Sequence, residues 1–274
     1  MKEYWNSIGG LSVSLLSEER KKLILEELDT HGKVHVVALA EKLQVSNETI
    51  RRDLEALVKT EKLKRVYGGA IKSSYRGGEP PYQQRQIMNH EQKIAIGKRA
   101  SLLIEDGDTI FLDTGTTVLE CARMIEAKKR LTIITNSLSA ANLLKESLAQ
   151  ALFQGKLIIL GGEISPEQQS ISGHLSEEML KNFYVDKAFL SVGGISVQTG
   201  ISDYDLNEST ISKIVISHAK EVIVLADQSK IGVHSFSTIA PLKMVDAIVS
   251  DRHPPASWLP SLEQTGVTWM KAEL

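Results

Sequence analysis

The densest chemistry in the chain lies in Asp113-Thr114-Gly115-Thr116-Thr117. An apolar run, Asp108–Leu112, precedes these residues, and a helical pattern, Val118–Ile125, follows them. A strand, a tight loop and a helix are predicted. At a helix N-terminus such a loop offers backbone N–H groups, the positive end of the helix dipole and three hydroxyls. That combination suits an anion, phosphate above all. Gly115 would let the backbone come close to it. An ordinary strand-to-helix turn with a threonine N-cap explains the same loop without a ligand.

Other strand-like runs end in a similar way. Asn136 and Ser137 follow Leu131–Thr135, and Gly162 follows Leu157–Leu160. Gly193 and Gly194 follow Ala188–Val192, and Lys230 comes shortly after Val222–Ala226. Ligands of open α/β sheets bind beyond the carboxyl ends of the strands. The recurrence of small residues, hydroxyls and one cation there marks a candidate ligand rim. Lys230 is the candidate phosphate partner, although a surface lysine is the simpler reading. Glu208 opens a helical pattern, where it either contacts a bound ligand or offsets the helix dipole.

A second constellation lies in Val45-Ser46-Asn47-Glu48-Thr49-Ile50-Arg51-Arg52-Asp53-Leu54. Ser46 is a good N-cap for a helix with Ile50, Leu54 and Leu57 facing inward. That leaves Glu48, Thr49, Arg52 and Glu55 on the outer face, with Asn47 and Arg51 on its flank. Arginine on guanine is the commonest base-specific pairing, so Arg51 and Arg52 are candidates for base or phosphate contacts. A basic run follows, Lys62-Leu63-Lys64-Arg65-Val66-Tyr67-Gly68-Gly69-Ala70-Ile71-Lys72. It predicts a short hairpin around Gly68-Gly69, flanked by Val66 and Ile71, that lays Lys64, Arg65 and Lys72 along phosphates, with Tyr67 and Gly68 as further candidate contacts.

The elements that must position these groups divide the chain. A capped helix from Ser17, with Leu23, Ile24 and Leu28 inward, precedes a short helix over Val37–Leu43 and the helix after Ser46. Helix, tight turn and helix make a helix-turn-helix, whose second helix enters the major groove. Residues 17–72 form that domain, and 1–16 are read as an extension. Residues 73–84 contain Gly77-Gly78-Glu79-Pro80-Pro81 and read as a linker. From 85 to 274, apolar strand-like runs alternate with helical patterns, so an α/β domain with a mainly parallel sheet is expected. Ile94, Ala95, Ala100, Leu102 and Leu103 supply the apolar side of its first helix.

Composition sets outer limits. The 274 residues carry a net charge of −2, with 42% hydrophobic and 24% charged residues, which excludes a disordered chain. Residues 46–72 hold seven basic and four acidic residues, a mild footprint for nucleic acid. The single cysteine, Cys121, excludes a disulfide framework and reads as a core residue. The seven histidines lack metal-ligand spacing, and no cofactor fingerprint or nucleophile elbow is present, so neither metal nor cofactor is expected. Without a secretion signal or a spanning segment, the expected compartment is the cytoplasm.

The Ser46–Leu54 string and the Arg65–Ala70 wing resemble the DNA-binding domain of DeoR-family bacterial transcriptional regulators. Residues 75–252 resemble that family's sensor domain through Asp106–Thr117, Thr135-Asn136-Ser137, Leu160-Gly161-Gly162 and Leu225–Lys230. The resemblance implies a repressor of a carbohydrate operon and a sensor related to ribose-5-phosphate isomerases. It implies double-stranded operator DNA and a phosphorylated sugar as partners. A dimer or tetramer is expected, because one recognition helix and wing read a half-site. The alternative is an isomerase-like enzyme that carries a DNA-binding domain. The isomerases' paired aspartates are missing at Ser191-Val192-Gly193-Gly194-Ile195, which makes that alternative the weaker one.

Overall fold

The computed structural model describes residues 17–31, 33–58, 63–66, 68–72 and 79–274. The chain divides into two compact units, Met1–Pro80 and Pro81–Leu274. Residues 1–16 and 73–78, read as an extension and as most of the linker, lie outside the described residues, as does Tyr67.

In the first unit, α1 (Ser17–His31), α2 (Val36–Leu43) and α3 (Asn47–Val58) enclose a small core. Ile24, Leu28, Leu39, Ile50, Leu54 and Leu57 are buried there. The turn between α2 and α3 passes through Gln44 in the left-handed region, φ 51°, and the Val45 N–H returns to the Ala40 carbonyl. The hairpin β2 (Leu63–Val66) and β3 (Gly69–Lys72) gains a third strand, β1 (Lys33–His35), in the order β1-β3-β2. Gly68 supplies a positive φ of 76° at the turn. Gly69 has a different reason to be glycine, since a Cβ there would stand 1.9 Å from the Val34 carbonyl oxygen. The wing turns at one glycine and packs through the other.

The second unit opens with α4 (Tyr82–Ile87) and α5 (His90–Ser101) instead of one helix. Asn89 breaks them at φ 51°, a conformation asparagine tolerates well. Tyr82 is buried, so the last residues of the span read as a linker are helical. Leu102, expected on the apolar side, follows the end of α5 and is 67% exposed. Ile96, between Lys93 and Ala100 on the buried face, packs in the core instead.

Seven parallel strands follow: β4 (Thr109–Leu112), β5 (Leu131–Thr135), β6 (Gly155–Ile159), β9 (Val185–Ser191), β12 (Ala219–Leu225), β14 (Ala247–Ser250) and β15 (Thr268–Lys271). Their order is β15-β14-β12-β9-β4-β5-β6. From β4 the chain winds outward through α6 (Thr116–Arg123) and α7 (Leu138–Ala149), then returns to build the other half from β9. The reversal puts the topological switch between β4 and β9, where open sheets place their ligands. Phe111 and Ile134 lie in one apolar cluster, Ile110 and Ile133 in another, so β4 and β5 feed both faces of the sheet.

Smaller elements decorate the rim. The hairpin β7 (Glu163–Ser165) and β8 (Ser170–Ser172) leads into α8 (His174–Leu180). Strands β10 (Gly194–Ser196), β11 (Gly200–Asp203) and β13 (Ser237–Ala240) form a separate antiparallel sheet, with α9 (Leu206–Ser217) after β11. Helix α10 (Leu259–Thr265) precedes the last strand. Among the described residues no helix is long and apolar enough to cross a membrane.

Candidate nucleic-acid interface and ligand rim

In the first unit Ser46 caps α3, its Oγ accepting from the Thr49 N–H at 3.1 Å. Asn47, Glu48, Arg51 and Arg52 are exposed and Thr49 is half-buried. Glu48 lies 3.6 Å from Arg51 and 3.7 Å from Arg52, so both guanidiniums are held loosely along the outer face. Lys64, Arg65 and Lys72 are placed on β2 and β3, and Gly68 on the turn between them. Asp53 is the residue sequence reasoning passed over. It is buried, accepts from Arg20 Nε at 2.5 Å and Nη2 at 3.1 Å, and takes the Ser17 hydroxyl at 3.2 Å. The pairing raises the Arg20 pKa, chiefly through the hydrogen bond to Asp53. Its work is to fix α3 against α1, which leaves the two preceding arginines facing out.

In the second unit the β4 loop sits at the switch point. Asp113, Thr114, Thr116 and Thr117 are all buried. Gly115, at φ 147°, begins α6 with no side-chain cap. Thr114 does not cap that helix, since its Oγ1 donates to the Gln168 carbonyl at 3.3 Å. A Cβ on Gly115 would stand 2.3 Å from Ser191 Oγ, so the close approach that requires glycine here is between the ends of β4 and β9.

Asp113 accepts from the Thr114 N–H at 2.8 Å and from Ser212 Oγ at 3.1 Å. Burial pushes its carboxyl up to about 7 against these bonds. Asn136 is fully buried and close enough to favour the carboxylate, yet neither of its amide atoms completes a well-formed hydrogen bond. Ser137 caps α7 by accepting from the Ala140 N–H at 3.2 Å. Glu208 does not cap α9; Asp205 does, accepting from the Asn207 and Glu208 N–H groups at 2.8 and 3.0 Å. Glu208 turns inward instead, takes the Ser170 hydroxyl at 2.7 Å, and is raised well above the usual carboxylate range by burial and then by Asp203.

Cations stand close to this cluster. Lys230 lies 5.6 Å from the centroid of the Tyr204 ring. Lys93 is buried in the apolar stripe of α5, donates to the Arg85 carbonyl, and is pushed down to about 8, first by burial and then by nearby Lys230 and Arg85, with Asp227 opposing. Arg85 stands 5.6 Å from the Tyr82 ring and donates to Gln168 Oε1. Asn89 donates to Asp227 at 3.1 Å, fastening the α4–α5 corner beside the end of β12.

The structure thus gathers Asp113, Thr114, Asn136 and Glu208 into one buried polar cluster. It adds Arg85, Lys93, Ser170 and Ser212, which sequence reasoning missed. A signal existed for one of them, because Lys93 repeats at helical spacing with Ile96 and Ala100 in an otherwise apolar stripe. Gly193 faces Tyr204 and Ser235, with a virtual Cβ 2.8 Å from each. Gly162 and Gly194 are spoken for by packing: a Cβ would stand 2.2 Å from Ser176 Oγ and 2.4 Å from the Val233 carbonyl oxygen, respectively. Cys121 is a core residue, its thiol pushed up to about 12 by burial.

A capped helix with outward arginines and a wing, joined to a parallel-sheet domain with a charged rim, defines a DNA-binding regulator with a sensor domain. Residues 20–75 match the DeoR-like helix-turn-helix domain and residues 88–252 match the DeoR C-terminal sensor domain. The chain belongs to the DeoR family and is a DNA-binding transcriptional regulator, not an enzyme. It is 34% identical to the HTH-type transcriptional repressor GlcR of Bacillus subtilis (strain 168), over 94% of this chain and 98% of that one. It is 32% identical to a putative aga operon transcriptional repressor of Escherichia coli O157:H7, over 92% of each. Among solved structures, ribose 5-phosphate isomerase A of Methanocaldococcus jannaschii aligns with a TM-score of 0.38 and 24% identity, over 52% of this chain and 55% of that one.

Proposed function

We propose that this chain represses a carbohydrate-utilisation operon from the cytoplasm, and that a phosphorylated sugar bound at the rim changes its affinity for the operator. The observation that carries the reading is the division of the rim. Carboxyl, hydroxyl and amide groups of Asp113, Glu208, Ser170, Ser212 and Asn136 suit a polyol. Beside them Arg85, Lys93 and Lys230 supply positive charge near the uncapped start of α6. A ligand rich in hydroxyls at one end and anionic at the other matches both halves. Thr114, Gly115, Thr116 and Thr117 cradle the phosphate with Lys230, and Ser137, Gly162, Gly193 and Gly194 shape the walls.

On the DNA side, Ser46, Asn47, Glu48, Thr49, Arg51 and Arg52 face the major groove, with Lys64, Arg65, Tyr67, Gly68 and Lys72 along the backbone. A half-site reader of this size works as a dimer or tetramer. The relatives named as repressors support the direction of control.

A thermal-shift screen of the full chain against pentose and hexose phosphates, each beside its unphosphorylated sugar, tests the reading. At a hundredfold excess over Kd a ligand stabilises by about 2.7 kcal/mol, which raises Tm by several degrees. At least one phosphosugar is expected to do this and its dephosphorylated form is not. Equal shifts with and without phosphate contradict the phosphate cradle, and no shift from any phosphosugar contradicts the reading as a whole.

A further inference from the structure

The turn joining β7 to β8 reaches into the rim with a single residue. Gln168 accepts twice there: its side-chain oxygen accepts a hydrogen bond from Arg85 Nη2, and its main-chain oxygen accepts one from the Thr114 hydroxyl at 3.3 Å. A guanidinium N–H and a threonine hydroxyl at the head of a helix are the donors a phosphate's oxygens seek. We infer that Gln168 is an internal stand-in for the ligand's anion, and that Arg85 is an anion-holding residue which this plug covers until a ligand displaces it.

The inference rests on the reading of the rim as a phosphosugar site and adds what occupies that site in the ligand-free protein. The exchange has a clear driving force. Gln168 offers Arg85 a neutral amide oxygen, whereas phosphate offers a dianion that a guanidinium can pair with through two parallel hydrogen bonds, which adds both energy and geometric specificity.

The local construction allows the tip to move while its base stays. Strands β7 and β8 have three residues each. Strand β8 is anchored by the Ile171 N–H to the Asn136 carbonyl at 2.8 Å and by Ser170 to Glu208. The Leu138 N–H to the Gln169 carbonyl, at 2.9 Å, fixes the base of the turn. Pro166 and Glu167, by contrast, are exposed, and so is Ile164 on β7. Displacing the Gln168 side chain therefore disturbs the exposed tip of the turn and leaves the anchored strand β8 in place.

The test is calorimetric titration of the full chain and two variants, Gln168→Ala and Arg85→Gln. The probes are ribose 5-phosphate, glucose 6-phosphate, fructose 6-phosphate, the same three sugars without phosphate, and inorganic phosphate. A plug seated about 70–90% of the time raises the apparent Kd about 3- to 10-fold, so Gln168→Ala should tighten every phosphorylated probe that binds wild type by that factor. Arg85→Gln should weaken the same probes by at least about tenfold, as removal of a charged hydrogen-bond partner does. It should leave the affinity for unphosphorylated sugar within about twofold, a change of only ~0.4 kcal/mol. Tighter binding by Gln168→Ala does not arise from a damaged fold, so that arm survives any loss of stability in the arginine variant. Unchanged or weaker binding by Gln168→Ala overturns the plug. Equal losses for phosphorylated and plain sugars in Arg85→Gln overturn the role given to Arg85. A wild-type chain that binds none of the probes overturns the rim reading itself, and the inference with it.

Discussion

Asp113 shows how a single residue ties the rim to proton concentration. Its carboxyl keeps its proton up to about 7 in the folded chain because burial outweighs the bonds from Thr114 and Ser212. Unfolded, it titrates near 3.9. Between these values the folded state binds the extra proton, so stability present at acid pH is lost as pH rises toward 7. Glu208, also raised, acts in the same direction. Around Glu208, Asp203 adds to this rise and Arg85 opposes it. Asp113→Asn keeps the shape and removes the titration. Its Tm relative to wild type should therefore be higher at pH 8 than at pH 5, by about 2–4 °C for each 1 kcal/mol of relieved charge burial. Parallel Tm curves for the two proteins would show that Asp113 is ionised throughout.

The residues legible in the sequence were those whose neighbours are local. The threonine cradle is read from a strand, a loop and a helix in the eighteen consecutive positions 108–125. Arg85, Ser170 and Ser212 were not legible, because only the crossovers that close the sheet bring α4, β8 and α9 to the end of β4.

At the scale of elements, the outward arginines of α3 depend on Asp53. The Arg20–Asp53 pair is buried, with side-chain exposures of 9% and 5%, and is doubly hydrogen-bonded. Asp53→Ala leaves Arg20 buried without its main counter-ion. Breaking a buried pair from one side costs about 3–5 kcal/mol, whereas an exposed pair costs below about 1 kcal/mol. Urea unfolding of the first unit's transition should show the larger loss, with part of it recovered by adding Arg20→Leu. A loss below about 1 kcal/mol would mean the pair is solvated and α3 is held by its apolar stripe alone. That stripe was plain in the sequence, because Ile50, Leu54 and Leu57 repeat at helical spacing over about two turns.

Strands of only three residues were not legible. Strands β1, β7, β8 and β10 are too short to show alternation, and they exist because the fold brings a partner alongside: β3 for β1, β11 for β10, and β7 and β8 for each other. Strand β15 escaped for a related reason. Its burial pattern, one exposed and three half-buried residues, is that of a sheet edge, and it lacks the continuous apolar run that marks β12. The single amphipathic segment expected around residues 84–103 became two helices at Asn89, where one left-handed residue redirects the chain and leaves Leu102 outside.

At the scale of the molecule, two recognisable domains lie in one chain, and the regulatory claim concerns their coupling. A bound phosphosugar changes DNA affinity only to the extent that it favours one state of the protein over another, typically by 1–3 kcal/mol, or about 5- to 150-fold. Linkage makes the effect reciprocal, so DNA must alter the affinity for the sugar phosphate by the same factor. The central claim is tested most directly by one measurement. The full chain is used to enrich DNA from a randomised pool, and its affinity for the enriched sequence is then measured at fixed salt, with and without a saturating phosphosugar that raises its Tm. The account predicts a sequence-specific complex whose Kd changes at least about fivefold with the phosphosugar and stays constant with the unphosphorylated sugar. An enriched sequence bound with the same Kd whether or not the phosphosugar is bound would contradict it.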